Sequence, residues 1–234
     1  MRAIVRDCYG GPEVLKLEHI ELPVPGPNEV LVRVRASSLN RADRYILQGT
    51  PMPLRFMTGL WRPRKRGVGM DFSGVVEAVG DKVSDSKAGD EVFGQVDNGE
   101  LWAEFARVPA ALVAPKPPSL SHPQAASIPL SGLTALQGLR DAGRVEAGQR
   151  VLVNGSTGAV GTFAVQIAKA LGAEVTAVCS ERNFDLVRSL GASQLFAYDK
   201  EDFTGCGQGP VRFSVFEGEP GFQTGSRPSK CIAS

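Results

Sequence analysis

Gly155, Gly158 and Gly161 stand at intervals of three in Arg150-Val151-Leu152-Val153-Asn154-Gly155-Ser156-Thr157-Gly158-Ala159-Val160-Gly161. The chemistry open to such a stretch is anion binding. A strand that ends in a glycine turn and runs into a helix presents unpaired backbone N–H groups to a phosphate. The helix dipole adds its positive end at the same point. The three glycines serve the tight turn, the close approach of a pyrophosphate, and the packing of helix on strand. The spacing is G-x-x-G-x-x-G, not the commoner G-x-G-x-x-G. An ordinary strand-to-helix loop is the alternative. The flanking elements favour dinucleotide binding through Gly155, Ser156, Thr157, Gly158, Ala159, Val160 and Gly161.

Those elements alternate. Val151–Asn154, Glu174–Cys179 and Gln194–Tyr198 read as strands, and Thr162–Leu171 and Asn183–Leu190 as helices, the order that builds a parallel sheet. Before them the chain is β in character. Short segments at Met1–Arg6, Leu15–Glu21, Val30–Ala36, Gly74–Val79, Glu91–Val96 and Leu101–Val108 are punctuated by Gly, Pro, Asn and Asp, with one helix at about Arg41–Gln48. This pattern suggests a compact barrel-like β domain. The style changes after Ala114-Pro115-Lys116-Pro117-Pro118, and a helix begins near Ser121 and Pro123, interrupted near Pro129. The expected domains are therefore residues 1–118, β, and 119–204, α/β. Residues 205–234 form an irregular Gly/Pro/Ser-rich tail in which Val211–Phe216 is one short candidate strand. Without that strand the sheet would stop at three strands with a bare edge.

Composition narrows the function classes. Lys and Arg number 26 against 25 Asp and Glu among 234 residues, a formal net charge of +1. That balance gives no global attraction to nucleic acid or to an anionic membrane. No apolar run nears the roughly 20 residues that span a bilayer. Cys8, Cys179, Cys206 and Cys231 form no C-x-x-C pair and suggest reduced thiols in a cytoplasmic protein.

Several motifs together resemble the medium-chain dehydrogenase/reductase superfamily, in its zinc-free quinone oxidoreductase and enoyl reductase-like branch. They are Tyr9-Gly10-Gly11-Pro12-Glu13-Val14-Leu15, Ser38-Leu39-Asn40-Arg41-Ala42-Asp43, Gly69-Met70-Asp71-Phe72-Ser73-Gly74, Gly89-Asp90-Glu91-Val92-Phe93-Gly94, Ser131-Gly132-Leu133-Thr134-Ala135 and the glycine turn. The resemblance covers Met1 to about Thr204. It implies a GroES-like β-barrel domain followed by a Rossmann-type parallel α/β domain, here incomplete. The family's chain goes on to finish that sheet.

The resemblance implies chemistry as well. Zinc-dependent relatives carry a Cys where this chain has Asn40, a His at Met70 and a Cys or Asp near Leu130. An amide, a thioether and an alkyl group do not replace such ligands, so no metal is expected. What remains is hydride transfer from NADPH to a quinone, enone or similar activated alkene. Asn40 and Tyr45 match positions facing nicotinamide and substrate, and Thr134 one near the nicotinamide. Asn40 also suits a helix N-cap, Tyr45 core packing and Thr134 a helix interior. Cys179 stands where an NAD enzyme usually has an acid. Ser180 and Arg182 beside it suit a 2′-phosphate, and Tyr198 matches a tyrosine flanking that phosphate. Glu181 is the competing ribose acid. The partner is a small-molecule substrate, with neither nucleic acid nor membrane, and full-length relatives suggest a homodimer. A cofactor-binding remnant without turnover is the alternative function.

Two features stay outside this scheme. Trp61-Arg62-Pro63-Arg64-Lys65-Arg66 pairs positive charge with an aromatic, as a nucleic-acid contact would, but it is short and reads first as a solvated loop beside the active site. His19 and His122 read as structural.

Overall fold

The computed structural model describes residues 1–97, 99–200 and the backbone of 214–216. The chain divides into two compact units, Met1–Leu130 and Ser131–Ser234. The division lies beyond the change of style at Pro118 because helix α3 (His122–Ala126), following α1 (Arg41–Gln48) and α2 (Leu54–Thr58), packs on strands of the first unit.

The first unit is built from short antiparallel strands. β1 (Arg2–Val5) pairs with β2 (Lys16–His19), and β3 (Glu29–Ser37), β4 (Asp71–Val79), β5 (Glu91–Gln95), β6 (Phe105–Pro109) and β7 (Val113–Pro115) form a sheet in the order β6-β3-β4-β5-β7. Strand β7 adds to the segments expected from the sequence; its Pro115 closes the edge of that sheet, where a missing N–H does least harm. Alternating side chains of β3, β4, β5 and β6 meet in one core around Phe72, Val30, Val32, Val76 and Val108. Register slips between Leu31 and Val32 and between Val34 and Ala36 bend β3 against β4. Gly74 is where the two backbones come closest: a Cβ there would stand 2.3 Å from the Arg33 carbonyl oxygen.

His122 joins α3 to this sheet. Its Nδ1 lies 2.8 Å from the Ser73 hydroxyl and its Nε2 3.3 Å from Glu91. The trio has the composition of a hydrolytic triad. Ser73, however, is fully buried and donates to the Val92 carbonyl at 3.0 Å, so no substrate reaches it. The role is structural.

The second unit follows the alternating pattern. β8 (Arg150–Asn154), α5 (Ala159–Ala170), β9 (Glu174–Cys179), α6 (Phe184–Leu190) and β10 (Gln194–Ala197) make a parallel sheet in which β9 pairs with β8 and β10 with β9. The helix α4 (Pro129–Leu136) starts at the proline where the sequence predicts an interruption. Val151, Val153, Ala164, Val165, Ala168, Val175 and Ala177 pack as one core between sheet and helices.

One expectation fails here. The sheet does not stop at three strands: β11 (Ser214–Phe216) lies parallel to β8, with Ser214 opposite Leu152 and Phe216 opposite Asn154. A strand left open on one side exposes a row of N–H and C=O groups, and pairing satisfies them. The remainder of the expected tail lies outside the described residues. The order β10-β9-β8-β11 makes β8 the strand at which the sheet reverses direction of growth. In open α/β sheets ligands bind outside the carboxyl end of that strand. The glycine turn begins there.

Gly161 fixes how closely α5 approaches the turn. A Cβ at this position would stand 2.2 Å from the Gly155 carbonyl oxygen and 2.8 Å from the Ser156 Cα, both backbone. Gly161→Ala is expected to lower stability by about 1–3 kcal/mol, since the helix must move to accept it. Thermal or urea unfolding measures the change, and an unaltered midpoint would show that the contact is not tight.

Candidate functional site

The glycine turn is closed by one acceptor. The Val178 carbonyl oxygen receives the Gly155 N–H at 3.1 Å, the Ser156 N–H at 3.2 Å and the Ser156 hydroxyl at 3.1 Å. Gly155 sits at φ 73°, the left-handed region glycine tolerates. Gly155 and Ser156 are thus committed to the fold, and Ser156 is fully buried. The donors for a ligand are the N–H groups at the start of α5. Gly158 is its N-cap and supplies no side chain, so the amides of Ala159, Val160 and Gly161 lack an intrahelical acceptor. A twelve-residue helix ending in free N–H groups, its dipole positive there, fits a pyrophosphate.

The end of β9 carries the other cofactor candidates. Ser180 starts a single 3₁₀ turn, Glu181–Asn183, and its hydroxyl accepts from the Asn183 side chain at 3.0 Å. Glu181 is paired with Lys200. Arg182 is exposed and has no ion-pair partner among the described residues. Of the two rivals for the ribose, the acid already has a cation beside it at the surface, and the guanidinium has no acidic partner among the described residues. Tyr198 is half exposed next to this turn in sequence, its N–H donating to the Cys179 carbonyl at 3.3 Å. Burial pushes the Cys179 thiol up from its ordinary pKa. Thr134 lies exposed on α4.

In the first unit the centre is Asp71, a carboxylate with no solvent exposure. Its Oδ2 accepts from the Ser38 hydroxyl at 3.0 Å and the Asn40 side-chain amide at 2.9 Å, and its Oδ1 from the Leu130 N–H at 3.1 Å. Asn40 is the N-cap of α1, and its backbone N–H donates to Asp43 at 2.7 Å. The Asn40 amide nitrogen also donates to Ser38 at 2.8 Å, so both its protons are used. Asn40 is rigidly held. Tyr45, one turn along α1, exposes about 39% of its surface and is the accessible donor of the two.

Asn40 and Leu130 both bind the Asp71 carboxylate, and Met70 beside it is buried. Among the described residues no group of three or more His, Cys, Asp or Glu is arranged to hold a metal. An amide, a thioether and a leucine offer no ligand set for zinc. Residue order presents Asp71 only as a lone carboxylate, whereas Asp43, three residues after Asn40, is the acid of a capping box that the spacing could have announced. The Asp71 contacts are long-range, which no local pattern reveals.

Residues 26–118 match the alcohol dehydrogenase GroES-like domain family and residues 159–206 the zinc-binding dehydrogenase family. The quinone oxidoreductase of Coxiella burnetii superposes with a TM-score of 0.83 at 34% identity, covering 92% of this chain and 68% of that one. The chain belongs to the medium-chain dehydrogenase/reductase superfamily. Within it, this member falls in the quinone oxidoreductase and enoyl reductase-like branch. It is 37% identical over 209 residues to the chloroplast envelope quinone oxidoreductase homolog of Arabidopsis thaliana, covering 85% of this chain and 61% of that protein. The Escherichia coli quinone oxidoreductase, solved with NADPH, matches with a TM-score of 0.75 at 30% identity over 87% of this chain and 60% of its own. The chain thus spans about three fifths of the length of these last two relatives. No helix among the described residues is long and apolar enough to cross a membrane.

The two acids of the first unit make a pH test. Asp43 is pushed up from 3.8 to about 6, first by burial and then by the Asp71 charge, against the hydrogen bonds from Asn40. Burial likewise raises Asp71. A carboxyl raised on folding binds more protons folded than unfolded. Its stabilising contribution is full below about pH 4 and is lost as pH rises towards 6. Asp43→Asn keeps an oxygen for the Asn40 N–H and removes the charge. We expect it to match wild type near pH 4 and to be more stable by roughly 1–3 kcal/mol at pH 7. Unfolding curves across this range decide it; a variant less stable at pH 7 would show that the Asp43 charge is not strained.

Proposed function

We propose that this protein is a zinc-independent, NADPH-dependent oxidoreductase that reduces quinones, enones or similar activated alkenes. The observation that carries the reading is the uncapped start of α5 at the strand where the sheet reverses. Bound there, NADPH would supply a hydride, and a proton from solvent completes the reduced product. The chain's own residues bind and orient. The amides of Ala159, Val160 and Gly161 hold the pyrophosphate, Gly158 leaves room for it, and Thr157 borders it. Ser180 and Arg182 receive the 2′-phosphate, with Tyr198 flanking it and Thr134 on the nicotinamide side. The pairing of Glu181 with Lys200 supports NADP over NAD, because the competing acid is already engaged by a cation.

In the first unit Tyr45 is the donor to the substrate oxygen as it gains negative charge. Asn40, whose amide protons are held by Ser38 and Asp71, keeps the start of α1 in position. Zinc independence follows from the donor set at Asn40, Met70 and Leu130. The small-molecule substrate, the cytoplasmic location suggested by the free thiols of Cys8 and Cys179, and a homodimer complete the reading.

Steady-state oxidation of NADPH with a panel of small quinones and enones, in the presence of a chelator, tests it. Turnover that survives chelation is expected. NADPH binding without turnover would make this a cofactor-binding protein instead.

Arg182→Ala should weaken NADPH far more than NADH, by roughly 1–3 kcal/mol for a lost charge-assisted contact. Fluorescence titration with both cofactors measures this. Equal losses would remove Arg182 from the 2′-phosphate and return the ribose to Glu181.

A further inference from the structure

Arg6 is a buried cation without a counter-charge. It is 2% exposed, and burial lowers its pKa. One terminal nitrogen donates to the Ile46 carbonyl, and the guanidinium lies 5.2 Å from the Tyr9 ring centre. Its buried Nε has no hydrogen-bond partner, and no carboxylate pairs with it among the described residues. An uncompensated buried guanidinium is costly, and such groups are normally paired.

Arg6 lines a cleft of about 120 Å³ within the first unit, together with Asp43, Thr58, Arg64, Lys65 and Met70. The strand end that carries Arg6 is stitched to the basic segment. Val5 bridges Gly67, and the Arg6 N–H donates to the Arg66 carbonyl at 2.8 Å. The Arg64 N–H in turn donates to the Thr58 carbonyl at 2.8 Å. The basic residues of that segment divide in use. Arg66 is neutralised by Asp7 and Glu18. Arg64 and Lys65 are exposed, face the cleft and have no acidic partner among the described residues. Asp43, the acid on the described lining, is committed to the Asn40 N–H. The cleft's charge is positive, and its volume suits a small acid, not a nucleic acid strand.

We infer that this cleft holds the carboxylate end of the substrate, with Arg6 as the residue that selects it and Arg64 and Lys65 on the rim. A guanidinium's planar fork matches a carboxylate, and a bound acid would give Arg6 the counter-charge it lacks among the described residues. Asp43 ties the cleft to the capping contacts of Asn40, so the substrate class becomes activated alkenes that also carry a carboxylate. That last step rests on the reductase reading; the anion site does not.

The test uses acetylacrylate, a keto-enoic acid, against its methyl ester, in which a methyl group takes the place of the charge. Equilibrium titration of the full chain comes first. Wild type is expected to bind the acid about tenfold more tightly than the ester, the scale of one charge-assisted contact. Arg6→Gln should abolish the preference, and the exposed pair Arg64→Ala/Lys65→Ala should reduce it. Equal binding of acid and ester by wild type overturns the inference, as does a preference that the double variant leaves intact. The double variant decides if Arg6→Gln does not fold. Turnover with NADPH separates the two readings. Acid and ester reduced alike would overturn the anion site and keep the reductase. Tighter acid binding with neither compound reduced would do the reverse.

Discussion

The Val178 carbonyl oxygen, at the end of β9, accepts three hydrogen bonds from the first two residues of the glycine turn. The glycine turn of the second unit depends on this convergence. It ties the end of β8 to the end of β9, uses up the Gly155 and Ser156 donors, and leaves the chain to enter α5 through Gly158 with no side-chain cap. The tight Gly161 contact then holds the helix against the turn. A loop without these ties would have to order itself around a phosphate, at a cost of about 1–2 kcal/mol per residue fixed. Here that ordering belongs to folding.

The first unit solves a different problem, that of holding a carboxylate in the dry. Asp71 is bound by a hydroxyl, a side-chain amide and a backbone amide, none of them charged. Neutral donors stabilise the anion only partly, which is why burial still raises its pKa. The Asp71 charge in turn helps to raise Asp43. The arrangement fixes Asn40, and through it the start of α1, at the place where zinc-dependent relatives spend their ligands.

Much of this is legible from residue order, for local reasons. The glycine spacing, the alternation of strand and helix, and the bounds of α1 at Arg41–Gln48 all follow from short-range pattern. Helix α5 starts at Ala159, before the expected Thr162, because a helix beginning on Gly158 carries no capping side chain to announce it. Strand β11 is only a candidate in the sequence, since three residues give too little alternation to separate a strand from a turn. The division of the glycine turn into committed and free amides depends on a partner more than twenty residues away. So do the Asn40–Asp71 contact and the burial of Arg6, whose position just after Val5 breaks the in–out alternation of β1. Contacts between distant residues leave no period to read.

On the proposed function, the start of α5 receives the dinucleotide's pyrophosphate. Gly158 has φ −72° and ψ 171°, extended backbone that any residue adopts. A valine there should leave the fold intact while placing its side chain where the phosphate would lie. The direct measurement is NADPH titration followed by backbone amide NMR, in wild type and in Gly158→Val. Large shifts are expected at Ala159, Val160 and Gly161 in wild type and none in the folded variant. Undiminished affinity in Gly158→Val, or wild-type shifts confined to other residues, would contradict it.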